Sequence, residues 1–192
     1  MGNATSTTGV ADPEAITGDP STPDFWRRKG DAYANARNAA FAASKAAYTA
    51  RDHTRARQLS QKGKQHAAQA VEAHARAAAL LLEQNNSRRP PGELDLHGLR
   101  VTEAVAEVQK AISRARKDGQ QQLVLIVGRG LHSADGVPKL RPAIEKLVRQ
   151  HNLRVTPGVP NEGCLTVEFV SAAERGWVEW FGSVLSNGCV IC

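Results

Sequence analysis

The sequence predicts an α/β domain with the element order βαβαββ, preceded by an antiparallel α-helical hairpin. Three observations support this prediction. Residues 25–86 are rich in Ala, Arg, Lys and Gln, with apolar side chains at helical spacing. The linker 87–92 contains two prolines, which end the helical pattern. From residue 93 onward, short apolar runs typical of strands alternate with amphipathic helical patterns, as expected of a small sheet with helices packed on it.

The hairpin is predicted from two stripes of side chains. Aromatic residues recur at intervals of seven, eight and seven on one helical face, at Trp26, Tyr33, Phe41 and Tyr48. A second stripe of mostly small residues, which would let two helices approach closely, comprises Leu59, Gly63, His66, Ala70, Ala73, Ala77 and Leu80. The chain should reverse near residues 52–54. Residues 1–24 are rich in Ser, Thr, Gly, Pro and Asp, and we predict that they are disordered.

Residues 93–170 are predicted to form the α/β domain. Its strands should span residues 93–97, 122–127, 153–156 and 164–170, and the second strand, "QLVLIV", should be buried on both faces. The helix after the first strand has Thr102 as its expected cap. The next helix should carry Pro138 or Pro142 in its first turn.

The overall charge of +6 is concentrated ahead of this domain, because residues 25–92 carry thirteen bases and only four acids. Such a surface suits a polyanion such as RNA, although a solvated helix face explains it equally well. No apolar run reaches the roughly 18 residues of a membrane-spanning helix, and the first residues have no apolar core of a secretory signal. Three cysteines give no disulfide framework, so we expect a reducing, cytoplasmic location.

A candidate site lies in the two loops that follow the first two strands. Asp95 and His97 share one face at the end of the first strand, and "GRGLHS" follows the second. Ligands bind off the carboxyl ends of strands in open α/β sheets, so we expect these loops to share a crevice. Its phosphate-binding and histidine candidates are Gly128, Arg129, Gly130 and His132. The alternatives are a tight turn with a structural His97, or a metal site formed by Asp95, His97 and His132.

Four motifs in this order resemble a Smr (small MutS-related) domain: "LDLHGLRVTEAV", "IVGRGLHS", "GVPKLRPAIEKLV" and "NEGCLTVEF". The segment "KAAYTARDHTRARQLSQKGKQHAAQA" is similar to the helical domain of unknown function that often precedes Smr. The resemblance implies a fold like the C-terminal domain of bacterial translation initiation factor three. It also implies endonuclease activity on DNA or RNA, including messenger RNA on ribosomes. The family's Asp-Leu-His motif falls on residues 95–97, and its Gly-Arg-Gly loop falls on residues 128–130.

We therefore expect an RNA endonuclease that needs neither a metal nor another cofactor. His97 would take the proton of a 2′-hydroxyl as general base, and Asp95 would hold the imidazole. Arg129 would neutralise charge on the phosphate, His132 would protonate the leaving oxygen or contact phosphate, and Lys139 is a further phosphate-binding candidate. One alternative is a non-catalytic RNA- or ribosome-binding adaptor held at membranes by a lipid. The other is a DNA-nicking endonuclease, which would need a different nucleophile.

Both ends of the chain resemble lipidation signals. The last four residues, "CVIC", have the form of a prenylation signal with Cys189 as acceptor, and the first six fit myristoylation of Gly2. A C-x-x-C redox or half-metal pair is the rival interpretation of the C-terminal end. Residues 171–192 also place aromatic and aliphatic side chains at helical spacing, a face that would lie in a membrane interface or pack on the α/β domain.

Overall fold

In the computed structural model, residues 12–130 and 138–169 are described, and they form two compact units that divide between Gln84 and Asn85. The helices are α1 (Pro23–Thr49), α2 (His53–Asn86), α3 (Val101–Lys117) and α4 (Leu140–Gln150). The strands are β1 (Glu93–Asp95), β2 (Gln122–Ile126), β3 (Arg154–Pro157) and β4 (Cys164–Glu168). The predicted fold class and the predicted order βαβαββ after the two helices are confirmed.

Helices α1 and α2 form the first unit and run antiparallel, because contacts pair early residues of one with late residues of the other. Arg76 lies 4.6 Å over the Trp26 ring, whereas Ser44 donates a hydrogen bond of 2.7 Å to the Ala56 carbonyl at the other end. The predicted stripe of small residues is confirmed at Gly63, Ala70, Ala73 and Ala77, which are buried, whereas its larger members Leu59, His66 and Leu80 are only partly buried. The aromatic stripe is only partly a packing face, because Tyr33 is buried while Phe41 and Tyr48 are exposed.

Part of the segment that we predicted to be disordered is ordered. Residues 13–15 form one turn of 3-10 helix, and Pro13 is buried. Glu14 accepts hydrogen bonds from the Tyr33 hydroxyl and, at 3.3 Å, from Lys29 Nζ, which together hold the pKa of Glu14 below its usual value. Burial, with the Glu14 contact, raises the pKa of Tyr33 to about 12. The order of this segment could not be predicted from its polar composition, because the segment is held by one carboxylate and one proline and not by a run of apolar residues.

The second unit contains a four-stranded sheet in the order β1-β2-β4-β3. Strand β1 pairs in parallel with β2, and β4 pairs antiparallel with both β2 and β3. Helices α3 and α4 contact each other and the sheet, so the core lies between them and the strands. Its fully buried side chains include Leu96, Val108, Ile112, Leu125, Ile144, Val148, Leu165 and Val167.

Several local predictions for this unit were wrong. Strand β1 ends at Asp95, two residues earlier than predicted, because the chain turns at Gly98, whose φ of +77° favours glycine. Strand β2 is not buried on both faces, since the partly exposed Val124 and Ile126 alternate with the buried Leu123 and Leu125. Helix α3 begins after Arg100, whose backbone N–H donates to the Glu103 carboxylate at 2.9 Å, so Thr102 lies inside the helix.

The predicted site residue His132 and the two predicted lipidation sites, Gly2 and Cys189, lie outside the described residues, as does the amphipathic pattern of residues 171–192. Within the described ranges, each helix is too short or too polar to cross a membrane.

Candidate active site

The candidate site is built around a buried carboxylate. Asp95 is the last residue of β1 and is only 2% exposed. Its Oδ2 accepts a hydrogen bond of 2.9 Å from the Arg89 guanidinium. Its Oδ1 lies 2.6 Å from His97 Nδ1 and also accepts from the His97 backbone N–H at 3.1 Å. Burial of a charge is costly unless it is paired and hydrogen-bonded, and here both carboxylate oxygens are engaged. Of the two titratable side chains predicted to share one face, the structure buries the carboxylate and exposes the imidazole.

The backbone of Asp95 is fixed by an asparagine at the end of α2. Asn86 Oδ1 accepts from the Asp95 N–H at 2.8 Å, and Asn86 Nδ2 donates to the Asp95 carbonyl at 2.9 Å. Strand β1 is an edge strand, so without such a partner this peptide group would have an open hydrogen-bonding edge. Asn85 Nδ2 donates to the His97 carbonyl at 3.0 Å. Two consecutive asparagine side chains therefore hold the backbone on both sides of Leu96.

His97 is the exposed member of the pair. Its side chain is 57% exposed although its Nδ1 is held by Asp95. An ionised carboxylate can only accept hydrogen bonds, so Nδ1 must carry the proton of this contact. The other ring nitrogen, Nε2, then has a lone pair on the opposite edge of an exposed ring. The side chain is therefore oriented at one nitrogen and available to a ligand at the other.

The glycine loop after β2 passes close to His97. A Cβ added at Gly128 would lie 3.9 Å from the His97 Cβ, and the Gly128 φ of +72° is one that side-chain-bearing residues rarely adopt. Gly130 has a φ of +81°, and a Cβ there would come within 2.7 Å of Pro138. These two positions require glycine for their backbone conformation, and at Gly130 also for space.

The cationic side chains of this region lie at the surface. Arg129 is mostly exposed and forms an ion pair of 3.5 Å with Glu162, which is also exposed. Such exposed pairs contribute about 0–1 kcal/mol, so a phosphate can displace the carboxylate at little cost. Lys139 lies just before α4 and is also exposed.

All the predicted site residues within the described ranges line one cleft of about 810 Å³. These residues are Asp95, His97, Gly128, Arg129, Gly130 and Lys139, and Arg89 and Arg100 line the same cleft. Among residues 12–130 and 138–169, no three His, Cys, Asp or Glu side chains are grouped to hold a metal ion. The alternative metal site includes His132, outside these ranges.

Arg89, Asn85, Asn86 and Glu162 were missed by the sequence interpretation. The first three lie in or beside the proline-containing stretch, whose composition indicates a connection between domains and not a part of the site. They lie 6 to 12 residues before the residues that they contact, Asp95 and His97. The intervening sequence has no helical or strand periodicity that would predict these contacts. The available signal was indirect: a carboxylate at a buried strand end needs a cation nearby.

The sequence of the second unit matches a known family over the whole sheet. Residues 94–168 match the family described as Smr domain, and residues 24–86 match a domain of unknown function, DUF1771. The chain belongs to the Smr family. It is 40% identical over 126 residues to a Smr domain-containing protein of Schizosaccharomyces pombe, covering 66% of this chain and 61% of that protein.

Another relative is named Endonuclease NBR9, from Saccharomyces cerevisiae, and is 38% identical over 125 residues, or 65% of this chain and 52% of that protein. The chain thus spans little more than half the length of these curated relatives. Among solved structures, the B3BP Smr domain is 34% identical with a TM-score of 0.40, covering 52% of this chain and 98% of that one.

Proposed function

We propose that this Smr protein is an RNA endonuclease in which His97 acts as general base and Asp95 orients it. The observation that carries the proposal is the 2.6 Å contact between Asp95 and His97 Nδ1, on the wall of a cleft that also contains exposed cations. A base oriented by a third group is a recurrent arrangement for activating a hydroxyl nucleophile. The similarity to a yeast protein named an endonuclease supports the same reaction class.

The role of Asp95 follows from its environment. Arg89 and the His97 backbone N–H both donate to its carboxylate, so both of its oxygens are held in place. The ionised carboxylate holds the His97 proton on Nδ1 and stabilises the imidazolium that forms when Nε2 takes a second proton. A buried carboxylate with fixed partners needs no reorganisation during that step.

The phosphate would bind beside the glycine loop. Arg129 offers a planar guanidinium fork for two phosphate oxygens, and the positive φ values of Gly128 and Gly130 allow the backbone to approach closely. Lys139 supplies a second cation in the lining of the same cleft. Charge that builds on the oxygens in the transition state would then face these two cations.

In the proposed reaction, the 2′-hydroxyl oxygen attacks the adjacent phosphorus while His97 Nε2 takes its proton. The bond from phosphorus to the 5′-oxygen of the next nucleotide breaks, and that oxygen takes up a proton from water or from His132. The products are a 2′,3′-cyclic phosphate and a 5′-hydroxyl. DNA has no 2′-hydroxyl, so a DNA-nicking activity at this site would need water as the nucleophile.

Cleavage should persist when metals are removed, because the proposed step uses only groups of the RNA, groups of the chain and solvent water. Purified protein is incubated with end-labelled single-stranded and structured RNA, with and without EDTA, and products are resolved on denaturing gels. We expect equal rates in both conditions. Loss of all cleavage in EDTA, restored by a divalent cation, would contradict the proposal. No cleavage in either condition, with RNA still bound, would favour the non-catalytic adaptor.

A further inference from the structure

The cations of the helical hairpin are unevenly neutralised. Arg28, Lys29 and Arg76 lie toward the end of the hairpin away from the turn, and each pairs with a carboxylate, from Asp24, Glu14 and Glu72 respectively. Residues 41–64, which we name the hairpin tip, contain six bases and one acid, and the bases are Lys45, Arg51, Arg55, Arg57, Lys62 and Lys64. Among the described residues, none of these six forms an ion pair.

The single acid of the hairpin tip has a structural role. Asp52 Oδ1 accepts from the Arg55 backbone N–H at 3.0 Å, which caps the start of α2. The carboxylate is therefore engaged by the backbone and not by a neighbouring guanidinium. The tip keeps a concentrated positive charge that the rest of the hairpin does not.

A groove of about 470 Å³ crosses the hairpin tip between the two helices. Lys45 and Tyr48 of α1 line one side, and His53 and Arg57 of α2 line the other. Tyr48 is 65% exposed, and its ring is held edge-on against His53 with 5.0 Å between centroids. An aromatic ring fixed in this way offers a free face at little entropic cost.

We propose that the groove of the hairpin tip binds single-stranded RNA, with a base stacked on Tyr48 and phosphates against Lys45 and Arg57 in its lining. Arg55, exposed beside the groove, adds positive charge to the same tip. Stacking rings combined with unneutralised cations are the two features with which proteins hold single strands without reading their sequence. An acidic protein surface would satisfy the cations but would not need the exposed ring. This inference shares RNA as ligand with the proposed function, but it concerns binding at a different surface and no catalytic step.

The test measures binding to a fluorescein-labelled 2′-O-methyl oligouridylate of about 15 nucleotides. This probe lacks the 2′-hydroxyl, so the proposed cleavage cannot affect the result. The full chain is compared with a tip variant, Lys45→Gln, Arg55→Gln and Arg57→Gln together. The control variant carries Arg114→Gln, Lys117→Gln and Lys146→Gln. These substitutions also remove three positive charges, at exposed positions of α3 and α4 that do not line the cleft beside His97. Circular dichroism verifies that both variants remain equally helical.

We expect the tip variant to bind about tenfold or more weakly at low salt, because it has lost phosphate contacts. The slope of log K against the logarithm of the salt concentration should also become shallower, by about 0.7 for each lost contact. The control variant should keep the parent's slope. Tyr48→Leu should weaken binding about fivefold without changing the slope, and Tyr48→Phe should bind like the parent.

Equal affinities and slopes for the tip and control variants would overturn the inference and leave the tip as a surface for an acidic protein. Parent-like binding by Tyr48→Leu would equally overturn the stacking contact. A failure of the chain to cleave natural RNA bears only on the proposed function, since the binding experiment contains no cleavable RNA.

Discussion

The His97→Ala substitution is expected to lower the rate of RNA cleavage by about 10²–10⁴-fold, the range over which general bases contribute. The protein should remain folded, because the side chain is more than half exposed. The hydrogen bonds of its backbone, from N–H to Asp95 and from Asn85 to the carbonyl, do not involve the imidazole and can persist in alanine. Single-turnover cleavage rates and thermal melting curves measure the two expectations separately.

A matched control for this variant is His151→Ala. His151 follows α4, and its described hydrogen bonds use only backbone atoms, with its carbonyl accepting from Arg116 at 2.8 Å. We expect the control to cleave RNA like the parent. If His97→Ala cleaves as fast as the parent, the activity comes from another site or a contaminant, and the assignment of the base is wrong.

The second large effect is expected from Arg89→Met, at a residue that precedes the matched Smr region. Loss of the guanidinium leaves Asp95 Oδ2 buried without its cation. Hydrogen bonds to charged groups contribute about 1.5–3 kcal/mol, and the partial exposure of Arg89 reduces this, so we expect about 1–2 kcal/mol less stability. Cleavage should fall about 10–100-fold, by analogy with the partners that orient metal-ligating side chains.

A positioning role for Arg89 predicts more than a loss of rate. Without the cation, the carboxylate that orients His97 is itself less firmly held, so the loss should appear in kcat while KM stays close to that of the parent. Arg89→Lys should restore part of the rate because it keeps the charge. Arg88→Met removes the same charge at the neighbouring exposed residue and should behave like the parent. A rise in KM with an unchanged kcat in Arg89→Met, or no recovery in Arg89→Lys, would indicate only a structural contribution.

The α/β pattern could be predicted because it depends on local periodicity. Alternating apolar residues at Leu123 and Leu125, and helical spacing from Ala104 to Ile112, identify strand and helix without knowledge of their partners. The proximity of Asp95 and His97 followed from their separation of two residues, although the prediction of an extended strand was wrong and a turn brings them together.

The residues that hold Asp95 and His97 in place could not be predicted, because their contacts do not follow the periodicity of a helix or a strand. Arg89 and Asn86 belong to a stretch whose prolines indicate a connection, yet their side chains bind the strand that follows. The contact of Glu14 with Tyr33 beside the ordered turn at Pro13, and the Arg129–Glu162 pair, also join residues far apart in sequence. Local propensity describes the elements, whereas the polar contacts around a buried carboxylate require the tertiary structure.

The most direct test of the central claim uses two RNA oligonucleotides that differ by one 2′-hydroxyl at a site of cleavage. Mass spectrometry identifies the product ends. We predict 2′,3′-cyclic phosphate and 5′-hydroxyl ends for the all-ribose RNA, and no cut after the 2′-deoxy sugar while the other sites are cut as before. Cleavage after the deoxy sugar, or 5′-phosphate ends, would show that water is the nucleophile and would contradict the role assigned to His97.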